Sequence, residues 1–188
     1  MRAPAFWWRP PSLAASALRP IGLVYGTVAA RRMERRGERA GVPVICVGNF
    51  TAGGAGKTPT ALAVAQRLID AGERPVFLSR GYGGRLRGPV RVDPARHGAL
   101  DVGDEPLLLA RVAPAIVAHD RPAGARLAVA EGASVIVMDD GLQNPSLTKD
   151  LTIAVVDGQT GVGNGLCLPA GPLRAPLSAQ WPHVDAVI

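Results

Sequence analysis

Residues 42–60 read VPVICVGNFTAGGAGKTPT, and this stretch decides the fold. The apolar run 42–47 predicts a buried strand, and the small-residue run 48–56 a tight loop. Residues 59–70, with apolar side chains at helical spacing, predict a helix. Strand, glycine-rich loop, Gly-Lys-Thr and helix is the layout of a phosphate-binding P-loop. Gly53, Gly54 and Gly56 let the loop, with Thr51, Ala52 and Ala55, bend sharply. Its N–H groups can then face phosphate oxygens with no Cβ in the way. The helix N-terminus adds positive dipole character at the same place. Lys57 would reach the β- and γ-phosphates of a nucleotide, and the Thr58 hydroxyl a Mg²⁺ ion. Thr51 departs from the usual pattern, which begins with glycine at that position.

A second signal lies downstream. Residues 134–140, SVIVMDD, are an apolar strand ending in two carboxylates, Asp139 and Asp140. A buried strand of this kind beside the P-loop strand delivers an acid to Mg²⁺. Two adjacent acids at the end of an apolar strand repel each other, and a cation relieves that repulsion. Further buried strands are predicted at 74–79, 115–118, 151–157 and 184–188, with a small hairpin around 89–92. Helices are predicted at 107–112 and 122–131. Strands alternating with helices predict an α/β fold: a P-loop NTPase-like sandwich with a mainly parallel sheet and helices on both faces.

Ligands of open parallel sheets gather at the carboxyl ends of the strands. Arg80 and Tyr82, in the run RGYGG after the second strand, are placed to meet a substrate or to form a plain glycine-rich turn. Asp104 and Glu105 precede a helix. Capping and dipole complementarity explain them from spacing alone, whereas a carboxylate near the γ-phosphate, accepting a substrate proton (Asp104) or holding Mg²⁺ (Glu105), is the functional reading. His119, in His-Asp-Arg-Pro with Arg121, reads as structural by itself. The long Gly- and Pro-rich loop 161–176 carries Arg174, a candidate phosphate contact.

Composition bounds the rest. The chain has 188 residues, 47% of them hydrophobic, enough for a sizeable core. Its net charge is +6, with Arg31, Arg32, Arg35, Arg36 and Arg39 clustered early. Only 4% of residues are aromatic, so no stacking ladder for single-stranded nucleic acid is present. The basic excess suits an anionic membrane surface or a phosphorylated substrate. Cys46 and Cys167 form no metal-ligand pair, and Cys46 reads as a small buried apolar residue. Residues 1–40 form an N-terminal segment ahead of a P-loop domain at 41–188. In that segment Phe6, Trp7 and Trp8, with Arg2 and Arg9, precede a mostly apolar run, 12–30, which Arg19 and Pro20 interrupt. The preferred reading is a membrane-surface helix with tryptophans at headgroup level and arginines facing anionic lipid. A spanning helix, a cleaved signal peptide and a helix packed on the domain's own core are the alternatives.

Taken in order, GNFTAGGAGKTP, LSRGYGG, GDEPLLLA, MDDGLQN and GNGLCLPAGPLR resemble the tetraacyldisaccharide 4'-kinase family of lipid A biosynthesis. The resemblance covers essentially the whole chain, and Thr51 fits that family's own pattern. It implies ATP- and Mg²⁺-dependent phosphorylation of the 4'-hydroxyl of an acylated disaccharide 1-phosphate. It also implies an enzyme at the cytoplasmic face of a bacterial inner membrane, with no obligate protein partner. By the resemblance Lys57 and Thr58 bind phosphate and metal, and Asp139 and Asp140 surround the metal. Asp104 is the base with Glu105 beside it, and Tyr82, Arg174 and Arg121 contact substrate or phosphate. Asn144 and Ala175 stand where many members carry His and Glu. Members are also longer, so the chain is expected to be a C-terminally truncated one, and a non-catalytic nucleotide-binding fragment is the alternative. A GTPase switch is a further rival. Its guanine-reading tetrapeptide has one near match, Thr148-Lys149-Asp150-Leu151, which has Leu in place of the final Asp.

Overall fold

The computed structural model describes residues 3–10 and 12–188. Arg2, counted above among the N-terminal cations, lies outside the described residues. The elements in chain order are α1 (Leu13–Met33), β1 (Val44–Gly48), α2 (Lys57–Asp70), β2 (Pro75–Ser79), β3 (Val90–Arg91), α3 (Ala99–Val102), α4 (Asp104–Leu109), β4 (Ala115–Val117), α5 (Arg121–Ala130), β5 (Val135–Asp139), β6 (Leu151–Ala154), α6 (Leu177–Gln180) and β7 (Ala186–Val187). The strands form one sheet in the order β3-β4-β2-β5-β1-β6-β7. All are parallel except β3, which pairs antiparallel with β4 at the edge.

The central strands are apolar without alternation because both of their faces are covered. Val47, Phe77 and Val137 face one layer with Ala61 and Ala65 of α2 and Leu109 of α4. Val44, Leu78, Ile136 and Met138 face the other, with Ala125 and Ala128 of α5. Alanine and glycine on the helices let them approach closely: a Cβ on Gly124 would come within 2.6 Å of Leu78 and Ala118. Both crossover helices stop the same way. Gly72 and Gly132 take φ +85° and +86°. Glu73 N–H then returns to Leu68 C=O, and Ala133 N–H to Ala128 C=O, the bond pattern of a glycine-terminated helix.

Several boundaries differ from the sequence expectation. Residues 89–92 form no hairpin of their own; β3 adds to β4 instead, with Val90 opposite Val117. The predicted strand 151–157 ends at Ala154, and 184–188 contracts to two paired residues. The helix predicted at 107–112 starts earlier, so Asp104 and Glu105 lie in its first turn.

α1 docks on the segment around Cys167. It has no separate polar face. Leu23, Val24 and Val28 are 63%, 67% and 63% exposed on the sides that do not dock. Its buried residues are Ala15, Gly22, Gly26 and Met33, a narrow stripe that is small except at its end. A Cβ on Gly22 would lie 2.9 Å from the Cys167 carbonyl oxygen, and one on Gly26 2.9 Å from Cys167 Sγ. Ahead of α1, Trp7 Nε1 donates to Pro169 C=O at 3.0 Å, and Asn164 N–H donates to Trp7 C=O at 2.7 Å. The aromatic start is therefore tied to the 161–176 loop. Among the described residues α1 is long and apolar enough, by length and composition, to cross a bilayer.

Candidate active site

The sheet order places β5 between β1 and β2, so the acidic end of β5 faces the P-loop. Val47 pairs with Asp139, and Asp140 N–H continues the ladder to Val47 C=O at 2.9 Å. Gly53 and Gly56 take φ +126° and +84°. Nothing lies within 4 Å of a Cβ placed on Gly53 or Gly54. The loop rims open space with the positive end of α2 behind it, the form of a phosphate cradle. Lys57 is buried at 8% exposure, its Nζ donating to Gly53 C=O at 3.2 Å and standing 3.8 Å from Asp140 Oδ1. Thr58 is half-buried in the first turn of α2.

Arg174 comes to the same point from the far end of the chain. Leu173 bridges Thr51, Ala52 N–H donates to Pro172 C=O, and Arg174 N–H donates to Phe50 C=O. So fixed, the guanidinium donates through Nε to Thr51 C=O at 3.0 Å. Its NH1 donates to both Asp140 oxygens at 2.8 and 2.9 Å. Asp140 itself has φ +52°, a left-handed conformation that aspartate tolerates better than most residues.

Asp139 differs from its neighbour. It is 1% exposed, and neither carboxylate oxygen has a hydrogen-bond partner. Burial pushes its carboxyl up to about 7; Glu105 and Asp140 push the same way, and Lys57 and Arg121 oppose them. Arg121, 2% exposed, has Nε and NH1 unpartnered, and burial brings its guanidinium down to about 10 against the pull of Asp139 and Asp140. A buried, unpaired carboxylate beside a phosphate cradle fits a divalent cation. Among the described residues no three His, Cys, Asp or Glu side chains converge into a protein-only cage. That suits Mg²⁺, which takes one or two carboxylates and completes its shell with phosphate and water. Thr58 and Asp139 could hold it, with Asp140 and Glu105 around them.

The two glycine-rich loops after β2 and before α4 interlock. A Cβ on Gly103 would strike Tyr82 C=O, which is why Gly103 sits there with φ +89°. This contact sets Asp104 and Glu105 beside Tyr82, which is 86% exposed. Gly103 caps α4 with no side-chain bond, and neither acid caps the helix. Capping therefore does not explain the pair, whereas dipole complementarity does apply to both acids in that first turn. Arg80 follows β2 and is exposed. His119 and Arg121 follow β4, and His119 N–H donates to Arg87 C=O at 2.8 Å. Partial desolvation, then Arg80, Arg87 and Arg121, hold the His119 imidazole below its ordinary range. Arg87 and His119 lie far apart in sequence and meet only in the fold.

A family model described as tetraacyldisaccharide-1-P 4'-kinase, LpxK, matches residues 14–188. The chain belongs to this family. It is 69% identical over 100% of its length to a tetraacyldisaccharide 4'-kinase of Methylobacterium radiotolerans, covering 58% of that protein. It is 64% identical, over 100% of its length, to one of Rhodopseudomonas palustris, covering 55% of it. The crystal structure of LpxK from Aquifex aeolicus in complex with ATP superposes with a TM-score of 0.80 at 30% identity. That match covers 93% of this chain and 58% of the other. The chain thus spans a little over half the length of the curated relatives it matches.

Cys46 is fully buried, and burial raises its thiol to about 11, as an inert core residue requires. In the near match to a guanine-reading tetrapeptide, Asp150 accepts from Val44 N–H at 2.8 Å and Lys149 Nζ donates to Leu142 C=O at 2.8 Å. Both side chains are committed to the scaffold. Asn144 accepts from Ser146 in a local turn, and Ala175 is fully buried.

Proposed function

We propose that this chain carries ATP-dependent phosphorylation of the 4'-hydroxyl of a tetraacyldisaccharide 1-phosphate in lipid A biosynthesis. The observation that carries the reading is Asp139, a buried carboxylate with both oxygens unpartnered, set by the β1–β5 register against the P-loop. The names of the relatives support the acceptor.

In this reading the P-loop N–H groups, Lys57 and Arg174 bind the phosphate oxygens of ATP. Thr58 and Asp139, with Asp140 and Glu105, would hold Mg²⁺. When bound, that ion offsets charge on the phosphate oxygens. Asp104 accepts the proton of the sugar hydroxyl as its oxygen attacks phosphorus in line and ADP leaves. Lys57 and Arg174 offset the charge that develops on the transferring group. Arg80 and Tyr82, both exposed, meet the acceptor, whose own phosphate suits Arg80; Arg121, expected at the substrate from the sequence, is 2% exposed and acts instead on the charge of Asp139 and Asp140. The apolar sides of α1 hold the site at the cytoplasmic face of the inner membrane, where an acylated acceptor resides.

The test is transfer of labelled γ-phosphate from ATP to the tetraacylated disaccharide 1-phosphate in detergent. The Methylobacterium radiotolerans relative serves as positive control. Asp104→Ala is expected to lower the rate roughly 10²–10⁴-fold, the usual worth of a positioned general base. Lys57→Ala is expected to abolish transfer. Labelled lipid formed equally by wild type and both variants, or none formed by wild type while the control is active, would overturn the reading.

A further inference from the structure

Gln180 is the largest polar side chain buried without any exposure, and no step above uses it. It ends α6, and both protons of its amide are spent on backbone. Nε2 donates to Ala175 C=O at 2.6 Å and to Phe50 C=O at 3.3 Å. Its Oε1 accepts from Gln143 Nε2 at 2.7 Å, and the same Gln143 nitrogen donates to Asn49 C=O at 2.7 Å. Burying an amide costs free energy unless its partners are all present, so the group is held where those partners hold it, and they are held by it.

The three ties lead to three different parts of the site. Ala175 adjoins Arg174. Gln143 lies in the turn that leaves Asp140. Asn49 and Phe50 lead into Thr51, whose carbonyl takes Arg174 Nε. Phe50 C=O also accepts from Arg174 N–H at 3.0 Å, so the Gln180 amide and the Arg174 backbone share one acceptor. Segments adjoining both ends of the Arg174–Asp140 bridge therefore meet at this one amide.

We propose that Gln180, with Gln143 as its extension, is a positioning residue for phosphoryl transfer. It sets the Arg174 guanidinium and the Asp140 carboxylate against the P-loop at the distance a γ-phosphate requires. The inference rests on the phosphoryl-transfer reading above. Gln180 touches neither nucleotide nor acceptor and acts through Arg174 and Asp140.

The test is equilibrium binding of MgATP and of MgADP to wild type, Gln180→Leu, Gln143→Ala, Arg174→Ala and the Arg174→Ala/Gln180→Leu double variant. In the reading above Arg174 acts on the transferring terminal phosphate, and Asp140 holds its guanidinium in place. Gln180→Leu is therefore expected to weaken MgATP about tenfold, the worth of one misplaced charge-assisted contact, and to leave MgADP within about twofold. In the double variant the two losses are expected to be less than multiplicative, because both remove the same contact. If Gln180→Leu shows no cooperative thermal transition, Gln143→Ala, at a half-buried position, carries the same expectation. A wild-type ATP/ADP ratio in the folded variants overturns the inference alone. So do equal losses for both nucleotides or fully multiplicative losses, either of which assigns Gln180 to packing. A wild-type chain that binds neither nucleotide overturns this inference together with the phosphoryl-transfer reading.

Discussion

Asp139 and Asp140 are adjacent in sequence and opposite in circumstance. Asp140 is ion-paired with Arg174 and faces Lys57, whereas Asp139 is buried and has no side-chain or backbone partner. The consequence is a pH dependence with a definite sign. The Asp139 carboxyl sits at about 7 in the fold against an ordinary 3.8, so the fold binds its proton more tightly than the unfolded chain does. The groups that set this are burial, Glu105 and Asp140 on one side and Lys57 and Arg121 on the other. Its stabilising contribution is complete below about pH 4 and is lost as pH rises through about 7. At about 1.4 kcal/mol per pH unit, the whole loss is roughly 4 kcal/mol. Metal-free protein followed by urea denaturation between pH 4 and pH 8 is expected to show that decline. Asp139→Asn is expected to flatten it, to be the more stable protein at pH 8, and to lose Mg²⁺-dependent phosphoryl transfer. A variant with the same slope as wild type would place the titrating group elsewhere.

At the scale of elements, what was legible in the sequence is what is local. The P-loop shows because glycines, lysine and threonine act within one turn of each other. The β5 acids show because an apolar strand ends in them. The link between Arg174 and Thr51 is not local; it exists because the 171–174 segment runs along the first half of the P-loop. Gln143 and Gln180 carry no charge and no period, so nothing in the sequence separates them from surface amides. The β3 pairing was misjudged because a two-residue strand has too little pattern to name its partner. The docking of α1 was open as one alternative but its contact residues were not marked, since glycine in an apolar helix reads as a weakness of the helix rather than as a contact. That contact makes a prediction. Gly26→Val places branched atoms where Cys167 Sγ already lies, with 2.9 Å available to a single Cβ. The helix is expected to lift from the 165–178 segment and expose Cys167, which is half-buried in the native fold, while Cys46 stays buried. Titration with a thiol reagent under native conditions reads this as faster modification of one cysteine only. An unchanged rate at Cys167 would mean that α1 is held by other contacts.

At the scale of the whole molecule, one end of the sheet collects charge and one flank collects exposed apolar surface. Leu13, Ile21, Leu23, Val24 and Val28 are exposed on α1, and Arg31 and Arg32 close its last turn, with Arg35 and Arg36 just beyond. A helix with apolar residues on most of its undocked surface and cations gathered at one end matches a bilayer boundary better than it matches water. Arg19 and Pro20 near its middle set the cost of deep insertion, so the cations are expected to contribute a large share of the attraction. Near an anionic leaflet each arginine contributes about 1 kcal/mol, and reversing Arg31, Arg32 and Arg35 to Glu removes three such terms. Flotation with vesicles containing anionic lipid is expected to show roughly a hundredfold weaker association of the reversed variant at low salt. The gap should narrow at high salt, where exposed charges are screened, while the contribution of the apolar residues persists. Neutral vesicles should bind wild type and variant alike. If the reversed variant floats as well as wild type on anionic vesicles at low salt, the attraction is not electrostatic. If neither floats on any vesicle, a soluble small-molecule acceptor becomes the better reading of the site.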